Sequence, residues 1–217
     1  MKLNRLILLS LLPVLLPLLS ACIGGKSPPS EFYLLEPIKG GVGDASAGGE
    51  TARLDAIALT PVRMPHYVDR PQMVTATGKN AYTLNETHRW AEPLDGNITS
   101  VLAQNLGLLI LETVVLPSSS ARAKQAKLRV SVDILEFHID PQGQALLSAQ
   151  WNIARGEDTV LIRQSGYHEP ASATDYRKMA EALNECLTRL SRDIALSLRD
   201  LAVEVGNNND LKDVRLQ

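Results

Sequence analysis

Residues 128–155, LRVSVDILEFHIDPQGQALLSAQWNIAR, decide the fold of this 217-residue chain. Apolar and polar residues alternate along 128–134 and again along 147–153, which is the pattern of strands that bury one face. Between them, Pro141-Gln142-Gly143 is a typical turn sequence. The two strands are therefore predicted to pair side by side in antiparallel fashion.

The alternation changes phase inside the first of these strands. Ile134 is followed directly by Leu135, after which Phe137 and Ile139 take the opposite parity. This change of phase predicts either a β-bulge at this point or a strand that is covered differently along its length. A second turn at Gly156-Glu157-Asp158 leads into a third strand, and the three strands form a predicted meander.

Further strands are predicted on either side of a glycine-containing turn near the middle of the chain, Gly78-Lys79-Asn80, which is a hairpin signal. A proline ends or interrupts several of these segments. Five strands are predicted before the meander, and they are Glu31–Leu35, Arg53–Val62, Gln72–Thr77, Ala81–Leu84 and Thr113–Leu116. The third strand of the meander is predicted at Val160–Tyr167.

Two helices are predicted from apolar residues at spacings of three and four. The first follows Pro93, and its face consists of Leu94, Ile98, Val101, Leu102, Asn105 and Leu109. The second has the stripe Met179, Leu183, Cys186, Leu190, Ile194, Leu198 and Leu201. Thr174 is its predicted N-cap, and Gly206-Asn207-Asn208-Asn209 its predicted end. We expect a single α+β domain of two layers, with both helices on one mostly antiparallel, mixed sheet.

The N-terminus is predicted to carry a lipoprotein targeting signal; the alternatives are an ordinary secretory signal cut at another small residue and an N-terminal membrane anchor. Lys2 and Arg5 precede an apolar run, Leu6–Leu18, which is too short to span a bilayer. Leu19-Ser20-Ala21-Cys22 then reads as a lipobox, where a bacterial signal peptide is cut before a lipidated cysteine. An S-diacylglyceryl group and an N-acyl chain such as palmitate on Cys22 would anchor the mature protein stably. Ile23 replaces the Asp that retains such proteins in the inner membrane, so we expect the outer membrane, periplasmic face.

These features divide the chain into a cleaved signal peptide (1–21), a flexible tether (22–30), the α+β domain (31–202) and a polar tail (203–217). Gly40–Glu50 is a glycine-rich loop with little to bury. The whole chain has a formal charge of −2, and loss of Lys2 and Arg5 leaves −4. No cluster of Lys and Arg is present, which argues against a nucleic-acid partner.

The sequence offers little for catalysis. It has no nucleophile elbow, zinc-protease helix or phosphate-binding loop, and we expect neither an enzyme nor a cofactor or metal. The histidines 66, 88, 138 and 168 lie in separate segments, although His138 and His168 fall on neighbouring predicted strands. Cys186 lies on an apolar helix stripe and is predicted to be a buried structural thiol.

Two segments stand out: Pro61–Val74, which contains Tyr67-Val68-Asp69-Arg70-Pro71-Gln72, and Arg89-Trp90-Ala91-Glu92-Pro93-Leu94. With the lipobox and Tyr33-Leu34-Leu35, they resemble the ABC-type transport auxiliary lipoproteins, the PqiC-like outer-membrane lipoproteins of MCE transport systems. The resemblance covers about residues 31–200. The Gly40–Glu50 loop is longer than is usual in that family, and the tail has no family role.

The resemblance implies a non-enzymatic accessory that docks with a periplasm-spanning MCE-domain protein and its inner-membrane permease, so that lipid moves between membranes. It also implies a ring-shaped homo-oligomer. The alternative is a self-contained carrier of lipid or another hydrophobic ligand.

The signature residues Tyr67, Asp69, Arg70, Arg89, Trp90 and Glu92 have two possible roles. In the structural role, Trp90 is a core aromatic residue, and Arg70 or Arg89 pairs with Asp69 or Glu92 to hold the two segments together. In the other role, these residues bind a partner. We expect the two segments to contact each other.

Overall fold

The computed structural model describes residues 28–39, 56–110 and 113–214. Within these ranges the chain forms eight strands, two α-helices and a short 3₁₀ helix at Ala121–Gln125. The strands are β1 (Glu31–Tyr33), β2 (Ala56–Leu59), β3 (Gln72–Gly78), β4 (Ala81–Trp90), β5 (Val114–Pro117), β6 (Leu128–Ile139), β7 (Gln144–Arg155) and β8 (Asp158–Pro170). The helices are α1 (Leu94–Leu109) and α2 (Tyr176–Val214).

The predicted meander is confirmed. β6 pairs with β7 in antiparallel fashion from Leu128 opposite Arg155 to Ile139 opposite Ala145, and β7 pairs with β8 in the same way. The register of β6 shifts between Ile134 and Glu136, so the bulge lies where the alternation changes phase. Because of the bulge, residues on both sides of it bury their apolar side chains against the same core.

On the side that does not face β7, β6 pairs with two different strands, so the sheet divides into two branches. Near its start, β6 pairs in parallel with β2, which in turn pairs with β5. At its end, Ile139 pairs with Thr75 of β3, which leads to β4 and β1. Between the branches, the Arg63 backbone bridges to β6, and its guanidinium donates two hydrogen bonds to Asp133 at 2.5 and 2.8 Å. The sheet is mixed and does not close.

Both helices pack on one face of the sheet, which confirms the two-layer α+β domain. The apolar stripe of α2 is buried from Met179 to Leu198, and α1 buries Leu94, Ile98, Val101, Leu102 and Asn105 as predicted, together with Asn97 and Leu106. From the sheet, Phe137 and the fully buried Trp151 complete one continuous hydrophobic core.

Both ends of α2 differ from the prediction. Asp175, not Thr174, accepts hydrogen bonds from the backbone N–H groups of Arg177 and Lys178, which is the role of an N-cap. The helix continues through Gly206 to Val214. A glycine within a helix costs only about 1 kcal/mol relative to alanine, so it does not by itself end one.

Several strand bounds also differ. β1 ends at Tyr33 because asparagine side chains, described below, take the backbone N–H groups that follow it. β4 runs to Trp90, well past the predicted Leu84, since it pairs with β3 on one side and β1 on the other. The predicted signal peptide, Cys22 and the Gly40–Glu50 loop lie outside the described residues. In the described part of the chain, no helix is both long and apolar enough to cross a membrane.

Candidate functional site

The two signature segments contact each other through their backbones, as predicted. The Trp90 N–H donates a hydrogen bond of 2.7 Å to the carbonyl oxygen of Pro71. Next to it, Gln72 at the start of β3 lies opposite Arg89 at the end of β4. The segments are therefore joined at the point where the β3–β4 pair ends and the chain enters α1.

β1 extends this junction on its other side. Phe32 is the parallel register partner of Arg89, and Tyr33 is that of Trp90. The Ala91 N–H donates to the Tyr33 carbonyl at 2.8 Å. Three separate parts of the sequence thus converge here, and one of them begins close to the tether.

A cleft of about 560 Å³ lies at this convergence. Its lining includes apolar residues and residues of both charges. The lining residues are Phe32, Asp69, Arg70, Pro71, Arg89, Trp90, Ala91, Glu92, Pro93 and Leu94. Five of the six signature residues therefore surround one cleft, and Phe32, which is 63% exposed, forms part of its wall.

The predicted ion pairs of the signature residues are not formed. None of the ion pairs within the described residues joins Arg70 or Arg89 to Asp69 or Glu92. Arg70 instead donates from Nε to the His66 carbonyl at 3.3 Å, within its own turn. Backbone hydrogen bonds hold the segments together, so side-chain ion pairs, which contribute little at an exposed site, are not needed for that purpose.

Trp90 is a core residue, as the structural role requires. Its side chain is 6% exposed, and its ring centroid lies 6.2 Å from that of Phe137. The same residue reaches the wall of the cleft. Trp90 therefore links the shape of the cleft to the packing of the core.

Tyr67 lies outside the cleft, in a cluster with Tyr82 and His138. Its ring centroid is 4.9 Å from that of Tyr82 and 6.2 Å from that of His138, and its hydroxyl lies 3.4 Å from Nδ1 of His138. Burial raises the pKa of Tyr67 and lowers the pKa of His138. His138 alternates with the core residues Phe137 and Ile139, so this cluster is on the face opposite the helices.

Three asparagines fasten the segment after β1 to both helices, and the sequence predicted this role for none of them, although Asn105 was placed on a helix face. The Leu35 N–H donates to Oδ1 of Asn97, and Nδ2 of Asn97 donates to the Leu35 carbonyl. The Glu36 N–H donates to Asn184 of α2, and the Ile38 N–H donates to Asn105 of α1. We call residues 34–38 the strap. The sequence pattern that could have predicted this contact is the pair Asn97 and Asn105 on the apolar face of α1, because a buried amide needs hydrogen-bond partners.

An aromatic stack fixes β4 to the start of α2, and Tyr33 of β1 contacts the stacked histidine. The rings of His88 and Tyr176 are parallel, with centroids 4.0 Å apart, and Nδ2 of Asn85 donates to the Tyr176 hydroxyl. The Tyr33 hydroxyl lies 2.9 Å from Nδ1 of His88 and donates to Glu31. Burial is the main cause that raises the pKa of Tyr33 to about 12. The cleft wall at β1 is therefore held by side chains as well as by the sheet.

The family model of the ABC-type transport auxiliary lipoprotein component matches residues 33–195, which run from β1 into α2 and include both signature segments. The chain belongs to this family.

Solved structures share the fold of this auxiliary lipoprotein. An uncharacterized protein is 20% identical, with a TM-score of 0.65, over 79% of this chain and 99% of its own. Protein XCC0632 from Xanthomonas campestris is 13% identical, with a TM-score of 0.63, over 82% of this chain and 99% of its own. No curated protein matches the chain at a significant level.

In the described part of the auxiliary lipoprotein, the histidines and the cysteine do not come together in one site. His138 and His168 are both register partners of Leu146, so the whole of β7 lies between them. No group of three or more His, Cys, Asp or Glu residues that could hold a metal occurs in the described ranges. Cys186 is fully buried, as predicted, and this burial is the main cause that raises the pKa of its thiol to about 12.

Proposed function

We propose that this lipoprotein is a non-enzymatic accessory component of an MCE-type system that moves lipid between membranes and maintains the envelope. The observation that carries the proposal is the family match, which extends over nearly the whole domain and names an auxiliary lipoprotein of ABC-type transport. The partners that we propose are an MCE-domain periplasmic protein and its inner-membrane permease. A ring-shaped homo-oligomer of the lipoprotein meets that protein.

The proposed location is the periplasmic face of the outer membrane. The lipobox at Leu19–Cys22 supports lipidation of Cys22, and Ile23 in place of Asp supports the outer membrane. Residues 23–30 reach at most about 30 Å when fully extended, so the anchor keeps the domain close to its bilayer.

Cross-linking followed by anchored pull-down from detergent-solubilised envelopes tests the proposal. We expect the full-length lipoprotein to recover an MCE-domain protein, and to form cross-linked species larger than a dimer. Recovery of the monomer alone would overturn the accessory role. Co-purification of lipid with an unpartnered monomer would support the self-contained carrier instead.

A further inference from the structure

We propose that the cleft between β1, the Asp69-Arg70-Pro71 turn and the start of α1 binds the headgroup of a zwitterionic aminophospholipid. Arg70 and Arg89 take the phosphate, Asp69 and Glu92 take the ammonium group, and the apolar wall takes the start of the acyl chains. The assignment of this ligand to a membrane lipid rests on the proposed function, because that function includes a lipid anchor at Cys22. The charge pattern that selects a zwitterion does not depend on that anchor.

The charges of the cleft are balanced but not paired with one another. Two arginines and two acidic residues are among the residues that line one space. Within the described residues, none of these four groups is in an ion pair, and Arg70 uses only Nε, toward His66. The terminal nitrogens of both arginines therefore remain able to donate to a phosphate, and the carboxylates remain able to accept from an ammonium group.

The apolar part of the lining suits the glycerol and chain region of a lipid. Phe32, Pro71, Trp90, Pro93 and Leu94 form it, and Phe32 is far more exposed than an aromatic residue of a core. A volume of about 560 Å³ is typical of sites that bury a small ligand. It admits a headgroup with the first part of its chains, so the remainder of the chains stays in the bilayer.

The position of the cleft favours a membrane lipid over a soluble ligand. Phe32 is ten residues beyond Cys22, and the intervening chain keeps β1 within about 30 Å of the lipidated end. Phe32 is also the register partner of Arg89, so an exposed aromatic ring and a cation lie side by side at the end of the sheet nearest the tether. An amphipathic pair of this kind is suited to the headgroup level of a bilayer.

Native mass spectrometry of the mature, full-length lipoprotein in a non-ionic detergent tests the site. The probes are dihexanoyl phosphatidylethanolamine, dihexanoyl phosphatidylglycerol and chain-free glycerophosphoethanolamine. We expect one saturable adduct with the ethanolamine lipid, with apparent affinity at least tenfold higher than for the glycerol lipid. No adduct, or equal affinity for the two lipids, would overturn the proposal.

Two variants and a matched control locate the adduct. Arg70→Gln with Arg89→Gln is expected to weaken ethanolamine-lipid binding at least tenfold. Arg129→Gln with Arg163→Gln makes the same charge change at exposed positions on β6 and β8, and is expected to leave binding unchanged. Equal binding by the two double variants would overturn the assignment to the cleft.

Asp69→Asn with Glu92→Gln is expected to abolish the preference for the ethanolamine lipid over the glycerol lipid. A retained preference would refute the role of these carboxylates.

Two other outcomes decide the source of the ligand. If glycerophosphoethanolamine binds as tightly as the lipid, the ligand is a soluble phosphodiester and the lipid assignment is wrong. If an MCE-domain protein displaces the lipid and the cleft variants lose that protein while keeping lipid affinity, the cleft is a protein-docking surface instead. A failed pull-down with intact lipid binding would contradict the proposed function and leave this inference standing.

Discussion

Asn97 closes a two-bond ring with the backbone of Leu35. The Leu35 N–H donates to Oδ1 of Asn97 at 2.9 Å, and Nδ2 of Asn97 donates to the Leu35 carbonyl at 3.2 Å. Both residues are buried, so neither group can exchange its partner for water at low cost. This ring holds the chain between the predicted tether and the core in one position on α1.

Asn97→Ala is expected to lower the free energy of unfolding by about 1–3 kcal/mol, because it leaves a buried donor and acceptor of Leu35 without partners. Urea denaturation measures this loss. Asn152→Ala, on β7 away from the strap, is the control and is expected to change stability by less than about 0.5 kcal/mol. Equal effects of the two variants would contradict a special role for the ring.

Trp90→Ala is expected to cost about 3–5 kcal/mol, as is typical when a large buried aromatic side chain is removed. Trp90→Phe keeps an aromatic ring next to Phe137 and leaves a smaller cavity, so it is expected to cost less than Trp90→Ala. Chemical denaturation compares the two variants. If Trp90→Ala kept full stability yet abolished association with the MCE protein, the structural role of Trp90 would be wrong.

The Cys186 thiol is expected to make the protein less stable as the pH rises above 9. Its pKa is about 12 in the folded state and 9.0 when unperturbed, so above pH 9 the unfolded chain releases a proton that the folded chain retains. The loss amounts to at most about 1.4 kcal/mol per pH unit. Urea midpoints between pH 8 and 10 measure it.

Cys186→Ala separates this contribution from those of three tyrosines. Tyr33, Tyr67 and Tyr167 also have raised pKa values, but their unperturbed value is 10.0. The variant is therefore expected to flatten the pH dependence between pH 9 and 10 and to leave the steeper loss above pH 10. An unchanged slope in the variant below pH 10 would contradict the assignment.

Burial of His138 is expected to lower stability as the pH falls below 6.5. Its pKa is lowered in the folded state, so the unfolded chain binds a proton first and acid favours unfolding. The groups that surround it are Tyr67 and Tyr82, with Glu136 and Asp140 opposing the shift through their charge.

His138→Gln tests that dependence against His66→Gln, which replaces an exposed histidine. The loss of stability between pH 6.5 and 5 is expected to become smaller in the first variant only. Thermal melting at several pH values is sufficient for this comparison. A pH dependence that is the same in both variants would show that other groups control it.

Cys22→Ser is expected to leave the domain folded and able to bind its partner, yet to abolish function in cells. The reason is that the proposed anchor both targets the protein to its membrane and holds the domain close to that membrane. Complementation of a deletion strain, with folding checked by circular dichroism, measures the effect. Full complementation by the unanchored variant would show that the anchor is dispensable.

The sequence was sufficient for features that depend on local pattern. The bulge in β6 was predicted because Leu135 visibly breaks the alternation, and the stripe of α2 because helical periodicity extends over many turns. The end of β4 could not be predicted in this way. Residues 85–89 are polar, and the strand continues through them because Asn85 and Arg89 pair with β3 while His88 and Arg89 pair with β1.

The candidate site was only partly predictable for the same reason. The signature residues were found, and so was the contact between their segments. The cleft also needs Phe32, whose position depends on its register with Arg89 more than 50 residues away. The partner of Asn97 lies 62 positions from it, so no local pattern could have identified the Leu35 backbone as that partner.

The strap determines how a pull on the N-terminal end of the domain would be distributed. A pull between a membrane anchor and a distant partner would enter the domain at Glu31. A three-residue strand at the edge of a sheet would peel off one hydrogen bond at a time under such a force. Because Asn97, Asn105 and Asn184 hold the next residues to both helices, the force passes into the core along several bonds at once. A pull on the N-terminal end of the domain would therefore load both helices together with β1.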